Sequence, residues 1–285
     1  MLSERSSKSL KRLFTNSCFS TFLVRAFEQS FLEFDSSLLS EKGNQELNSI
    51  RYQLGSCVTS NHALRRRQQQ QQHRGYHNNA SSYSTCPPPP LVALNVGCTA
   101  VVALLDRANQ QLVVANIGDS RAVLCTKGGS KITPLSRDHK PTDGPERKRI
   151  ERAGAVVVNG RINHGLNLSR AFGDHLLKNN PALSAAEQAV TAFPEVVVCR
   201  EKWPGGGSSS HSPGDAPFLV LACDGVWNSM SNRQVCSVVR KCLKKGMTLS
   251  AAAEEVVRRC ISPVRPTAGQ IGGDNMTCLI VRFDR

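Results

Sequence analysis

Acidic residues are the minority charge in this chain, with 22 Asp and Glu against 36 Lys and Arg over 285 residues and a formal charge of +14. Aromatic residues are scarce at 5%. That scarcity removes the aromatic and basic interleaving of an RNA-binding surface. No apolar run approaches the roughly 20 residues that a membrane helix needs. The N-terminus has neither the apolar stretch nor the small-residue cleavage site of a secretory signal. Residues 1–20 are Ser-rich and basic (Arg5, Lys8, Lys11, Arg12), but Glu4 counts against a mitochondrial transit peptide. No CxxC pair occurs among the 11 cysteines. Most of them sit inside apolar runs such as "AVLC", "VVVC" and "MTCLIV". This pattern fits buried free thiols in a reducing cytoplasm or nucleus better than a disulfide framework or a zinc site.

What is present is enough apolar material for one good-sized core, at 40% hydrophobic residues. The positive charge is spread along the chain. Residues 1–90 hold 11 Lys/Arg and 6 Asp/Glu, giving +5, and residues 91–285 hold 25 and 16, giving +9. Such a chain is expected to adhere to anionic surfaces, including phosphorylated proteins and nucleic acid.

Periodicity predicts a helix over residues 21–39, with Phe27, Phe31, Phe34 and Leu38 on one face. Residues 61–90 are rich in Gln, Asn, Ser and Pro and are expected to form a disordered basic insertion. From Leu91 the chain turns β-rich. "TAVVALLD", "QLVVANIG" and "RAVLC" predict an antiparallel meander. "TDGPERKRIERAG" predicts a helix with Pro145 at its start, Glu146 in its first turn and Gly154 at its stop. "AVVV", "EVVVC", "FLVLACD" and "MTCLIVRF" predict strands, and residues 205–215 a loop. Ser231 and Gln234 have the spacing of a capping box, opening a helix, and residues 250–260 form another. Strands with segregated helices predict an α+β domain of antiparallel sheets.

Three acids sit where strands meet tight turns: Asp119 in "ANIGDSRAVL", Asp224 in "LACDGVW" and Asp274 in "GGDNMTCLIV". Each alone is ordinary turn chemistry. Together they could converge at one rim of a sheet pair, where carboxylate oxygens suit a hard cation.

Seven motifs occur in colinear order: "GCTA" (97–100), "VANIGDSRAVL" (114–124), "LSRDHKPTDGPERKRIERAGAVV" (135–157), "GLNLSRAFGDH" (165–175), "PEV" (194–196), "LACDGVWN" (221–228) and "GGDNMT" (272–277). The series resembles the metal-dependent serine/threonine protein phosphatases of type 2C (PPM), with the gamma isoform nearest in "GLNLSRAFGDH…ACDGVWNSMS". The resemblance implies an α+β fold of two packed antiparallel β-sheets flanked by helices. It also implies Mg²⁺ or Mn²⁺ as cofactor and hydrolysis of phosphoserine and phosphothreonine in proteins by a metal-activated water. Asp224 and Asp274 match two metal ligands of that family, and Asp119 an acid of a weaker third site. Asn228 stands where many relatives have a further aspartate. Arg170 and Asp174 are expected to be scaffold, and His139, His164 and His175 loop or packing residues.

The family's "DGHGG" motif and the arginine before it are nowhere in this sequence. With them go the bridging acid, a candidate general acid and the phosphate clamp, so no catalytic residue is identified. The resemblance thus implies an N-terminally truncated form: residues 1–20 unmatched, and residues 21–285 a partial phosphatase domain carrying the 61–90 insertion. The chain is expected to be a monomer off the membrane. A pseudophosphatase or phosphoprotein-binding module is one alternative. A basic nucleic-acid-associated protein is another.

Overall fold

Alternating β-branched residues punctuated by Gly, Asp and Asn make short antiparallel strands in this chain. A computed structural model describes residues 2–53, 91–200, 216–262 and 272–283, and of residues 2–19 and Lys127 the backbone alone. The expected insertion at 61–90 and loop at 205–215 lie outside the described residues.

Helix α1 spans Leu2–Ser37. It therefore ends where the periodicity places it and runs further back, through a stretch free of Pro and Gly. A second helix, α2, covers residues 41–53. There follow β1 (Gly97–Cys98), β2 (Ala100–Asp106), β3 (Gln111–Ile117), β4 (Arg121–Thr126), β5 (Lys131–Pro134) and α3 (Gly144–Arg152). After these come β6 (Val157–Val158), β7 (Arg161–Ile162), β8 (Phe172–Gly173) and β9 (Glu195–Cys199). The chain continues with β10 (Phe218–Ala222), α4 (Asp224–Trp227), α5 (Asn232–Lys244), α6 (Leu249–Cys260) and β11 (Cys278–Arg282).

Two antiparallel sheets carry the core, one ordered β2-β3-β9 and the other β11-β10-β4-β5. The expected meander is half realised. β2 and β3 form a hairpin paired from Ala100↔Ile117 to Asp106↔Gln111, but β4 leaves β3 and pairs with β10 in the other sheet. The crossover is made by Gly118, Asp119 and Ser120. Gly118 has φ +94°, and a Cβ there would stand 2.2 Å from Thr99 Cγ2. Only glycine fits that turn.

Between the sheets, Leu112 and Val114 of β3 pack with Ala122 and Leu124 of β4 and Leu219 and Leu221 of β10. Outside the second sheet, α5 and α6 press Val235, Val239, Cys242 and Val256 onto Val123, Val220 and Ile280. The capping box of α5 forms as expected, with Ser231 accepting from the Gln234 amide and the Gln234 side chain accepting from the Ser231 amide. Outside the first sheet, Phe31 of α1 lies on Ala115 and Ile117 of β3 and stacks 5.1 Å from Phe172. The eight described cysteines are all free, five of them buried, in line with the sequence reading.

Candidate metal and phosphate site

Strand ends set this site. β10 and β11 pair as far as Ala222↔Cys278, and the ladder is continued by the Cys223 amide donating to Thr277 O at 3.2 Å. The Thr277 amide returns a bond to Cys223 Sγ at 3.2 Å. Asp224 and Asp274 therefore lie on the two sides of one strand junction. Gly225 allows the approach, since a Cβ there would meet Asn275 O at 2.4 Å.

The helix that begins at Asp224 is anchored from below. Trp227 Nε1 donates to Ala222 O at 2.8 Å, and the Arg121 guanidinium lies 5.2 Å from the Trp227 ring. Arg121 forks onto Asp138 with two bonds of 2.9 Å and donates to Asn232 Oδ1 at 2.7 Å. One arginine thus joins the start of β4, the loop after β5, α4 and α5. Sequence inspection missed it, because its partners are 17 to 111 residues away.

The pKa of Asp224 is raised, by burial first and then by the charges of Asp119 and Asp274. The three acids singled out in the sequence do converge electrostatically. Two contacts temper that repulsion: Lys140 is ion-paired with Asp119 Oδ2, and Asn228 Nδ2 donates to Asp224 Oδ2 at 3.2 Å. Asp274 Oδ1 accepts from the next amide, Asn275, at 2.8 Å. Among the described residues no set of three or more His, Cys, Asp or Glu stands ready to hold a metal ion. The donors fit a hard cation through Asp224 and Asp274, two carboxylates whose repulsion it would relieve. Asp119 is already answered by Lys140, and Asn228 turns an amide N–H toward Asp224.

Arg170, read as scaffold, is scaffold. Arg170 pairs with Glu146 rather than Asp174, through Nη2 to Oε1 at 2.6 Å, and its Nη1 donates to Phe193 O at 2.9 Å. Glu146 also takes Arg149 Nη1 and Ser169 Oγ at 2.6 Å each. Despite burial, those partners hold its pKa down at about 2. Helix position suggested only a first-turn acid at Glu146; its partners lie up to 24 residues away. His139 is wholly buried at the crossover, His175 is buried beside Asp35, and His164 is an exposed turn residue with φ +63°. Asp174 takes a left-handed conformation before a short 3-10 turn. The buried Asp35 of α1 accepts two bonds of 2.8 Å from Lys178 and one of 2.8 Å from the Gly173 amide, tying the helix to β8.

The chain matches the family described as Protein phosphatase 2C over residues 36–265, and it belongs to that family. It is 43% identical over 189 residues to "Protein phosphatase ppm-1.G" of Caenorhabditis elegans, covering 66% of this chain and 35% of that one. It is 44% identical over 189 residues to "Probable protein phosphatase 2C 11" of Oryza sativa subsp. japonica, covering 66% and 48%. It is 41% identical over 195 residues to "Protein phosphatase 1G" of Rattus norvegicus, covering 66% and 33%. The matched part thus spans a third to a half of these relatives.

Proposed function

We propose that this chain carries the carboxylate side of a metal-dependent protein serine/threonine phosphatase, acting on phosphoserine and phosphothreonine in proteins. One observation carries the reading: burial and then the charges of Asp119 and Asp274, from two other strand ends, bear on Asp224 and raise its pKa. Asp224 and Asp274 are the residues that hold Mg²⁺ or Mn²⁺. A bound cation supplies Lewis-acid stabilisation of phosphoryl charge and a water of lowered pKa. Asp224 and Asp274 orient that cation from the two sides of the β10–β11 junction. Lys140 keeps Asp119 neutralised, and Arg121 holds α4 in register with β4. Phosphoproteins are the proposed partners, with salt-sensitive adhesion to other anions following from the charge of +14. No helix of the described residues is long and apolar enough to cross a membrane. The free cysteines support a reducing compartment, cytoplasm or nucleus.

The given sequence contains no "DGHGG" and so no candidate general acid, a group whose loss typically costs ~10²–10⁴-fold in rate. The purified chain, assayed on a phosphoserine peptide with Mn²⁺, is expected to release no more phosphate than its Asp224→Ala variant. Turnover well above that variant would show that the chain completes the site unaided.

A further inference from the structure

A cleft of about 620 Å³ opens between the loop after β5 and the start of α3, a size common among ligand pockets. Its walls hold five charged side chains: Arg121, Arg137, Asp138, Lys140 and Asp143. Four of them are already paired. Arg121 holds Asp138 at 2.9 Å, Arg137 holds Glu195 at 3.1 Å, and Lys140 holds Asp119. Asp143 alone of the five has no ion pair with any described residue.

The backbone of Asp143 is fixed on both sides. Its amide donates to Lys140 O at 3.0 Å and closes a turn, and its carbonyl accepts from the Arg147 amide at 2.8 Å and opens α3. An aspartate at the cap position commonly turns its carboxylate back onto the helix. Asp143 makes no such bond. Its Oδ2 accepts from the Lys140 amide at 3.4 Å, the long end of the hydrogen-bond range. A half-buried carboxylate on a rigid backbone is thus left uncapped and unpaired in the cleft wall. Pro134 and Pro145 stand in the same walls, both exposed.

We infer that this cleft receives the side chain of an arginine flanking the phosphorylated residue of a protein substrate. The guanidinium forks onto Asp143, and the methylene stem lies along the rings of Pro134 and Pro145. Lysine, a point charge without the planar fork, fits less well. An anion finds little here. The three cations of the walls are already neutralised, and Pro145 takes one amide donor from the start of α3. The cleft shares a rim with the carboxylate pair. Lys140 stands in its wall and on Asp119, and the charges of both reach Asp224. An extended peptide advances only about 3.3–3.6 Å per residue, so a residue close in sequence to the phosphorylated one reaches the cleft. The inference rests on the phosphatase reading for the phosphorylated residue, and on the cleft alone for the arginine.

The test uses the intact chain with Mn²⁺ and a phosphoserine peptide in which one flanking position at a time carries arginine, lysine, alanine or glutamate, with an unphosphorylated copy of each. Affinity is read by calorimetric titration, which needs no turnover. The chain as a whole, at +14, repels a basic peptide, so any preference for arginine has a local source. At one flanking position arginine should bind roughly tenfold tighter than alanine, with lysine between them and glutamate weakest. Asp143→Asn keeps a good cap residue. It should remove the arginine advantage and leave the alanine peptide unchanged. Glu151→Gln removes the same charge from an exposed ion pair of α3 outside the cleft, and should leave the advantage intact. Circular dichroism checks that both variants fold as the parent does. No arginine advantage at any position, an advantage that survives Asp143→Asn, or one that Glu151→Gln removes as well would overturn the inference. So would a preference for glutamate, which would make the cleft an anion site. An Asp143-dependent arginine advantage that is the same with and without the phosphate supports the cleft and counts against the phosphatase reading.

Discussion

His139 and Gly118 hold one another by two bonds. The His139 amide donates to Gly118 O at 3.0 Å, and the Gly118 amide donates to His139 Nδ1 at 3.2 Å. That reciprocal clamp fixes the crossover between the sheets and with it Asp119. Because Nδ1 accepts, the ring proton is on Nε2, which faces Glu195 Oε2 at 3.3 Å. The ring is neutral in the fold. Burial, aided by the Arg170 charge, pushes its pKa down from 6.5 to about 4.

The sign of the pH effect follows. The unfolded chain takes up a proton as pH falls through 6.5, and the folded chain refuses it until about 4. Stability from this group is therefore full above pH 6.5 and is lost between there and about 4, on the order of 3 kcal/mol in all. Urea midpoints measured across that window should fall steadily in the parent. In His139→Asn they should start lower and change less.

Glu146 is the second buried electrostatic centre, and removing its charge leaves Arg149 and Arg170 uncompensated. Glu146→Gln keeps the shape and should cost about 3–5 kcal/mol in chemical denaturation. The depressed Glu146 pKa acts at lower pH than His139. Its contribution is present above about 4.5 and lost as pH falls toward about 2. A Glu146→Gln cost below about 1 kcal/mol would show that the two guanidinium groups are solvated rather than paired.

Lys140 is the cation that the protein itself supplies to the acids. Lys140→Met should free Asp119, raise the pKa of Asp224 further and tighten Mn²⁺ binding by roughly tenfold. Weaker Mn²⁺ binding in that variant would mean that Lys140 positions the site rather than competes for it.

How much was legible depended on whether the signal was local. Strands β2, β3, β4, β9, β10 and β11, together with α3, the Ser231 capping box and α5, follow from periodicity and caps within ten residues or so of sequence. The three acids were legible because each stands at the end of an apolar run. The crossing of β4 into the other sheet was not, since "NIGDSR" reads equally as a hairpin turn or a crossover until β10 offers its edge. Lys140 on Asp119, Arg121 under Trp227 and Arg170 on Glu146 were hidden for the same reason. Each contact closes over at least 17 residues, and no short-range pattern marks it.

On the proposed function, Asp224 and Asp274 hold one divalent cation from the two sides of the β10–β11 junction. The deciding measurement is calorimetric titration of Mn²⁺ into the chain, run beside Asp224→Ala, Asp274→Ala and, as a control, Val156→Lys. One weak binding event is expected in the parent and control, and none in either alanine variant. Binding that survives both alanine substitutions would contradict it and return the two aspartates to the role of turn residues.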